Sequence, residues 1–423
     1  MSRRLPAVVA VLAFLVLTAV AAARVRADLV DPLRPALERF GMQDLRDNFY
    51  YPSVALLQGR NPYDVADYKT HYPIDRPLPA YSPISLLVHL PLALLPLGAA
   101  ETADFVVNAA LLLVLARVAL AGAGAPVTVA RIFGIAALMT LSRAGQQTLY
   151  IGQCAVYVAL GSAIALVEAR RRPWLAGAGI AIACLKPSYG LPLGFLMLCR
   201  RDVGAFVRGA GLAALAGIAG AVVPIAAAGG IAPFVASVRH GMQVVATDPS
   251  YHEATSLIRI DVGALFGRFL GRSPGAAIEI LLGILILGSA GAILWTREAR
   301  AAAGGGEREP RPAGDGLACL ALLLGLYHQS YDALLLVLPV TALLFGSRVW
   351  RPAAGGTWTR AALLALLLVP WFNLLATHAV LNRVETVRAL WLPLATANGA
   401  ALLLAYLTWA WGMSRTAPPR SPP

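Results

Sequence analysis

Residues 170–201 read RRRPWLAGAGIAIACLKPSYGLPLGFLMLCRR. Arginines bracket the stretch at both ends, and 27 residues lie between Arg172 and Arg200. A helix that crosses the bilayer core needs about 20 apolar residues, so this segment cannot hold two full crossings and a loop. Arginine clusters mark the cytoplasmic side of membrane proteins. If both clusters are cytoplasmic, the chain must enter the membrane and turn back, as two half-spans or two short helices. Lys186-Pro187 sits at the midpoint, and proline cannot continue a helix through its own position without losing a hydrogen bond.

The rest of the chain supports a membrane setting. Of 423 residues, 58% are hydrophobic and 13% charged, about half the charge of an ordinary soluble domain, which excludes a soluble enzyme. The net charge of +13 comes from 35 Lys and Arg against 22 Asp and Glu. In a chain this apolar the excess belongs in cytoplasmic loops rather than a nucleic-acid groove. Cys154, Cys184, Cys199 and Cys319 stand singly in apolar stretches, so neither a disulfide framework nor a metal site is indicated.

The same arithmetic repeats between Asp315 and Arg348, where apolar runs 317–326 and 333–346 flank His328-Gln329-Ser330-Tyr331-Asp332 and predict a second polar apex. Run 149–168 descends to the Arg170 cluster, so run 127–142 ascends and Arg143 faces outward, and run 103–122 descends. Run 82–97, with Pro83, Pro91 and Pro96, is left as a re-entrant or surface-lying segment, tolerable only where protein or a wet cavity covers its backbone. Beyond the first reversal, run 203–228 ascends, 230–272 forms a second outer loop, 274–295 descends, 360–380 ascends and 389–411 descends. The expected architecture is an all-α polytopic bundle of about eleven to thirteen membrane or re-entrant segments with both termini cytoplasmic. A single membrane domain covers residues 1–416, with a first span at 5–23, an outer loop at 24–80, the remaining segments in 82–412, a cytoplasmic linker at 296–316 and a Pro-rich cytoplasmic tail at 413–423.

The first run, 5–23, is long for a signal sequence and follows Arg3 and Arg4, so it reads as an uncleaved anchor with its N-terminus inside. Residues 24–80 then hold eight acidic and eight basic side chains. The balanced charge does not draw this loop to the cytoplasm, and the anchor places it outside. Its aromatics, with the turn-like Asn61-Pro62-Tyr63-Asp64, predict a structured extracytoplasmic loop.

In this topology the first loop, Arg143, Gln153, Lys186, the 230–272 loop and the 328–332 stretch all fall toward the outer face. Polar groups gathered at one membrane depth are the expected signature of a functional site. Lys186 is one of only two lysines, and a compact ammonium near mid-membrane suits a phosphate; a snorkelling side chain at a helix end is the plainer alternative. Arg143, ten residues before Gln153, offers a bidentate phosphate contact or a simple interfacial anchor. Asp44 and Asp47 lie just beyond the first span, where either serves as a general base if it is held against a hydroxyl. His328 and Asp332 share a helix face at i, i+4 spacing, as a functional or merely helix-terminal pair. Arg259 in the second outer loop is a candidate substrate contact.

Several motifs together resemble glycosyltransferase family 87, membrane enzymes of the GT-C fold that include polyprenyl-phosphate-mannose-dependent mannosyltransferases. They are Asp47-Asn48-Phe49-Tyr50-Tyr51, then Leu56-Leu57-Gln58-Gly59-Arg60-Asn61-Pro62-Tyr63-Asp64, Tyr81-Ser82-Pro83 leading into the 90–96 proline run, Gly152-Gln153, Lys186-Pro187, and His328-Gln329-Ser330-Tyr331-Asp332. Their order and approximate spacing cover about residues 40–340. The resemblance implies a GT-C-like bundle with a large first outer loop. It puts the catalytic base, four residues before the loop tyrosine, on Asp47 and the later histidine on His328. The Tyr51-to-Gly59 interval is about two residues shorter than in the family's mannosyltransferases, which leaves Asp44 open as the base.

The expected function is therefore hexosyl transfer from a polyprenyl-phosphate sugar, mannose or a related hexose or pentose, to a glycan or glycolipid hydroxyl on the outer face of a bacterial cytoplasmic membrane. Direct displacement implies inversion. Lys186, Arg143 and Gln153 would contact the donor phosphate and lipid. Tyr51, Tyr81, Arg259 and Asp332 would line the substrate site. No cofactor, metal or nucleic acid is expected. A transporter or lipid flippase is the main alternative, since broken helices and mid-membrane polar groups also suit alternating access, although no paired repeat is evident; a non-catalytic envelope-assembly subunit is a third.

Overall fold

A computed structural model of the chain describes residues 5–31, 39–75, 81–249, 251–303, 312–346, 356–384 and 386–415. Arg3, Arg4, Arg348, Arg351, Arg420, the 304–311 part of the expected linker and the 416–423 part of the expected tail lie outside them. The described chain is helical, apart from turns and a single antiparallel bridge between Arg259 and Gln329.

Among the described residues, five helices are long and apolar enough to cross a membrane: Leu5–Leu29, Leu97–Gly122, Val203–Ala227, Ala276–Ala303 and Arg388–Arg415. Seven shorter apolar helices fill in between them, among them Val129–Leu141, Ala155–Glu168, Pro173–Ala183, Pro187–Cys199 and Pro312–Gly325. The chain is an all-α polytopic membrane protein. Two boundaries move. The first helix continues past residue 23 to Leu29 and so carries Arg24. The Ala276–Ala303 helix runs through the first eight residues expected to be linker, because Ala and Arg there are good helix formers.

Both reversals occur. Pro173–Ala183 and Pro187–Cys199 are half-length helices on either side of Lys186, whose backbone is extended at φ −108° and ψ 111°. That the chain comes back to the face it left is plain from Asp202, which accepts from Arg170 Nε at 2.9 Å and from Arg200 Nε at 3.0 Å. Arg170 also reaches Glu298 at 2.7 Å, and Arg200 reaches Asp315 at 2.6 Å. Four parts of the chain that arginine placement assigns to one side thus end in one ion network. Buried charges need such mutual pairing, because desolvating each alone would cost several kcal/mol.

Small residues let the core helices approach. A Cβ on Gly161 would stand 2.6 Å from the carbonyl of Gly179, and one on Gly179 would stand 2.5 Å from the carbonyl of Gly161. In lipid, where apolar burial gives helices little reason to associate, close backbone contact of this kind supplies the dispersion energy. The 82–97 run does not cross. It breaks into Ile84–Val88 and Leu90–Ala93, and Pro83 packs so tightly on the Val203–Ala227 helix that a Cβ on Gly220 would fall 2.2 Å from its carbonyl oxygen. The 230–272 segment, expected to be the second outer loop, contains two helices, Ile231–Ala246 and Val262–Leu270.

Candidate functional site

The two apices meet. The Lys186 Nζ donates to Asp332 Oδ1 at 2.8 Å and lies over the Tyr331 ring at 4.4 Å. Neither apex leaves its backbone groups unserved. Ser82 donates from Oγ to the carbonyl of Cys184 at 2.6 Å and from its backbone N–H to that of Leu185 at 3.1 Å. Tyr81-Ser82-Pro83 is therefore the plug that satisfies the frayed end of the Pro173–Ala183 helix, as any irregular backbone in a membrane requires.

Gly152 explains how the first loop reaches this point. The Arg143–Ile151 helix ends at Gly152 in the left-handed region, φ +69°, which glycine adopts without strain. A Cβ there would also stand 2.6 Å from Leu45 Cβ. Glycine thus permits the Gln43–Leu45 turn to sit on the helix end, fixed by Met42 N–H donating to the Tyr150 carbonyl at 2.8 Å. The next residue, Gln153, then donates from Nε2 to Asp44 Oδ2 at 2.7 Å, while its Oε1 accepts from the Tyr81 hydroxyl at 2.9 Å. Asn48 supplies a second amide to Asp44 at 3.3 Å. These two amides orient the carboxylate.

These groups border a cavity of about 1040 Å³, at the upper end of the range for small-molecule sites. Asp44, Tyr81, Arg143, Gln153, Lys186, Arg259 and Asp332 all line it. One wall is apolar and comes from the Ile231–Ala246 helix, which presents Phe234, Val238, Met242 and Val245. Their spacing of four, four and three residues is that of one helix face.

Three candidate residues are placed elsewhere. Asp47 lies in the π-helical turn Arg46–Tyr50 and does not line the cavity; its carboxylate accepts the backbone N–H of Asp75 at 3.3 Å and so braces the loop. The Tyr51 ring packs against Tyr50 and Tyr72, inside the aromatic cluster of the loop. His328 is fully buried behind Asp332, its Nδ1 at 3.3 Å from Asp332 Oδ2 and its ring edge-on to Tyr189 at 4.4 Å. Asp332 is consequently a bridge, with one oxygen on His328 and the other on Lys186.

Arg259 lines the cavity with its charge already matched. Asp261 takes its Nε and Nη2 at 2.9 and 2.8 Å, and Glu253 takes Nη1 at 2.7 Å. Its backbone pairs with the second apex, Ile260 N–H donating to the His328 carbonyl and Ser330 N–H to the Ile258 carbonyl. Among the described residues, no three His, Cys, Asp or Glu side chains converge as a metal site would need.

Sequence reasoning missed Arg24, Asn48 and the apolar face of the Ile231–Ala246 helix. The helix was legible in its periodicity. Arg24 was not, because nothing in the local sequence separates the last turns of the first helix from the start of the loop.

The sequence model of glycosyltransferase family 87 matches residues 80–307. That is more than half of the chain, and it takes in Tyr81-Ser82-Pro83, Gly152-Gln153 and Lys186-Pro187, whereas Asp44, Asp47 and His328 fall outside it. No curated protein and no solved structure matches the chain. With helices that span a membrane and a sugar-transferase family signature across its core, the protein belongs to glycosyltransferase family 87 and is a membrane glycosyltransferase.

Proposed function

We propose that the enzyme takes its sugar, mannose or a related hexose or pentose, from a polyprenyl-phosphate donor and transfers it to a hydroxyl of a glycan or glycolipid on the extracytoplasmic side of a bacterial cytoplasmic membrane. The observation that carries this reading is the mixed character of one cavity: an apolar helix face, cationic side chains and an oriented carboxylate border the same space. A nucleotide sugar has no use for the apolar wall. A prenyl chain does, and its phosphate would then fall beside the cations. The arginine network at the opposite end of the half-helices supports an outward-facing cavity by the positive-inside rule.

In the transfer, Asp44 accepts the proton of the acceptor hydroxyl, whose oxygen attacks the anomeric carbon as the bond from that carbon to the phosphate oxygen breaks. Polyprenyl phosphate leaves with the electron pair, and the developing charge is stabilised by fixed cations in a site shielded from water. A single displacement inverts the anomeric centre. Asp44 is preferred to Asp47 as the base because Asp44 lines the cavity and Asp47 is engaged with the loop backbone.

The test is transfer of radiolabelled mannose by the purified protein in detergent, from polyprenyl-phosphate mannose and, in parallel, from GDP-mannose. Label should pass to an envelope glycolipid extract from the lipid donor alone. Transfer from the nucleotide donor at equal or greater rate would overturn the donor assignment.

A further inference from the structure

We infer that the donor phosphate is seated on Arg24 together with Arg143, and that Lys186 is a positioning group held away from it by Asp332. This rests on the lipid-linked donor proposed above.

Among the described residues, four Lys or Arg side chains line the cavity, and they fall into two classes. Lys186 is paired with Asp332 at 2.8 Å, and Arg259 with Asp261 and Glu253 at 2.8 and 2.7 Å. An anion approaching either must displace a carboxylate already in contact. Arg24 and Arg143 have no acidic partner among the described residues. Arg24 makes one long contact, 3.5 Å to the Gln146 amide oxygen, and stacks over Tyr150 with its guanidinium 5.1 Å from the ring centre. Arg143 makes no hydrogen bond or ion pair to a described residue, and both guanidiniums line the cavity at the Arg143–Ile151 helix, Arg24 through its contacts with Gln146 and Tyr150. Two like charges lining one cavity with no acidic partner among the described residues are stabilised by an anion between them, and guanidiniums match phosphate oxygens in bidentate geometry.

The depth agrees. Arg24 is in the last turns of the Leu5–Leu29 helix. At 1.5 Å per residue it stands about 30 Å along the helix from its start, the thickness of the hydrocarbon core. Arg143 opens the Arg143–Ile151 helix, against which the first helix packs. A phosphate at this level belongs to a molecule whose chain lies in the bilayer.

Binding separates the possibilities. Decaprenyl phosphate, decaprenol and inorganic phosphate are titrated against the full-length protein in neutral detergent. The wild type should bind decaprenyl phosphate more tightly than decaprenol. Arg24→Gln and Arg143→Gln should each reduce that preference about tenfold, the loss of one charge-assisted hydrogen bond, with decaprenol affinity unchanged. Arg24→Lys should retain most of the preference. Arg131→Gln, at the start of the Val129–Leu141 helix and outside the cavity, should retain all of it. If both glutamine variants melt as the wild type does and keep its preference, the seat is overturned while the lipid donor stands. If the wild type shows no preference for the phosphate over the alcohol, the lipid donor falls. The seat then survives only if inorganic phosphate binds and weakens in both variants, and otherwise falls too.

Discussion

Lys186 Nζ lies 2.8 Å from Asp332 Oδ1 across 146 residues of chain, joining the tips of two separate helix reversals. Each reversal alone exposes a polar group at membrane depth, and together they satisfy one another. The Lys186 and Asp332 side chains are 10% and 1% exposed, so breaking the pair leaves a charge with little water to turn to. Lys186→Met should destabilise the protein by about 3–5 kcal/mol, the usual cost of orphaning one partner of a buried pair. Lys186→Met combined with Asp332→Asn should recover part of that loss, which a double-mutant cycle of thermal melting in detergent measures. Additive losses would show that the two residues do not depend on each other.

Gly152 sets the placement of Asp44 through backbone alone. With φ at +69° and Leu45 Cβ 2.6 Å from any added Cβ, Gly152→Ala must push the Gln43–Leu45 turn off the helix end. We expect a stability loss of about 1–2 kcal/mol from the left-handed backbone and a larger effect on turnover, up to ~100-fold, since displacing a reacting group by about 1 Å has that effect. Equal small losses in turnover and melting temperature would mean that Asp44 does not depend on this contact.

Asp47 braces the loop. Asp47→Ala removes the acceptor of the Asp75 N–H, and a hydrogen bond of this kind contributes about 0.5–1.5 kcal/mol. The expected variant melts lower but turns over at a rate near that of the wild type when assayed well below its melting temperature. Turnover slowed by roughly two orders of magnitude, the size of a lost general base, with melting unchanged, would assign the base to Asp47.

The 230–272 loop should be acid-sensitive. Burial alone would raise the Glu253 carboxyl, but its own backbone N–H, a hydrogen bond with Glu279 and the Arg259 guanidinium hold it down at about 2. A depressed carboxylate contributes stability that is complete above its unfolded value, about 4.3, and is lost as pH falls from there toward 2. Melting temperature should drop between pH 5 and pH 3, and Glu253→Gln should flatten that slope. An unchanged slope in the variant would place the acid sensitivity elsewhere.

Much of this was legible because charge is scarce. Arginines at 170–172 and 200–201, with 27 residues between them, force a reversal on length alone, and the Asp202 contacts of Arg170 and Arg200 bear it out. Proline placement located the break at Pro187, whereas the break at Gly152 falls inside the run 149–168 that reads in the sequence as one descending helix. What spacing does not convey is the direction of side chains within an irregular loop. Asp44 and Asp47 are three residues apart, and a π-helical turn beginning at Arg46 decides that one faces the cavity and the other the loop interior. Nor does it give pairing. Lys186, conspicuous as a lone cation in the sequence, is matched by an acid 146 residues away, whereas Arg24, inconspicuous at the end of an apolar run, meets no acid among the described residues.

The most direct test of the account is a comparison of wild-type protein with Asp44→Asn in transfer of labelled sugar from a polyprenyl-phosphate donor. The substitution keeps the shape and the Gln153 contact but removes the proton acceptor, and general-base catalysis typically contributes 10²–10⁴-fold. The predicted result is a variant that inserts, melts and binds decaprenyl phosphate as the wild type does, yet transfers sugar at least ~100-fold more slowly. An Asp44→Asn protein with undiminished transfer would contradict it.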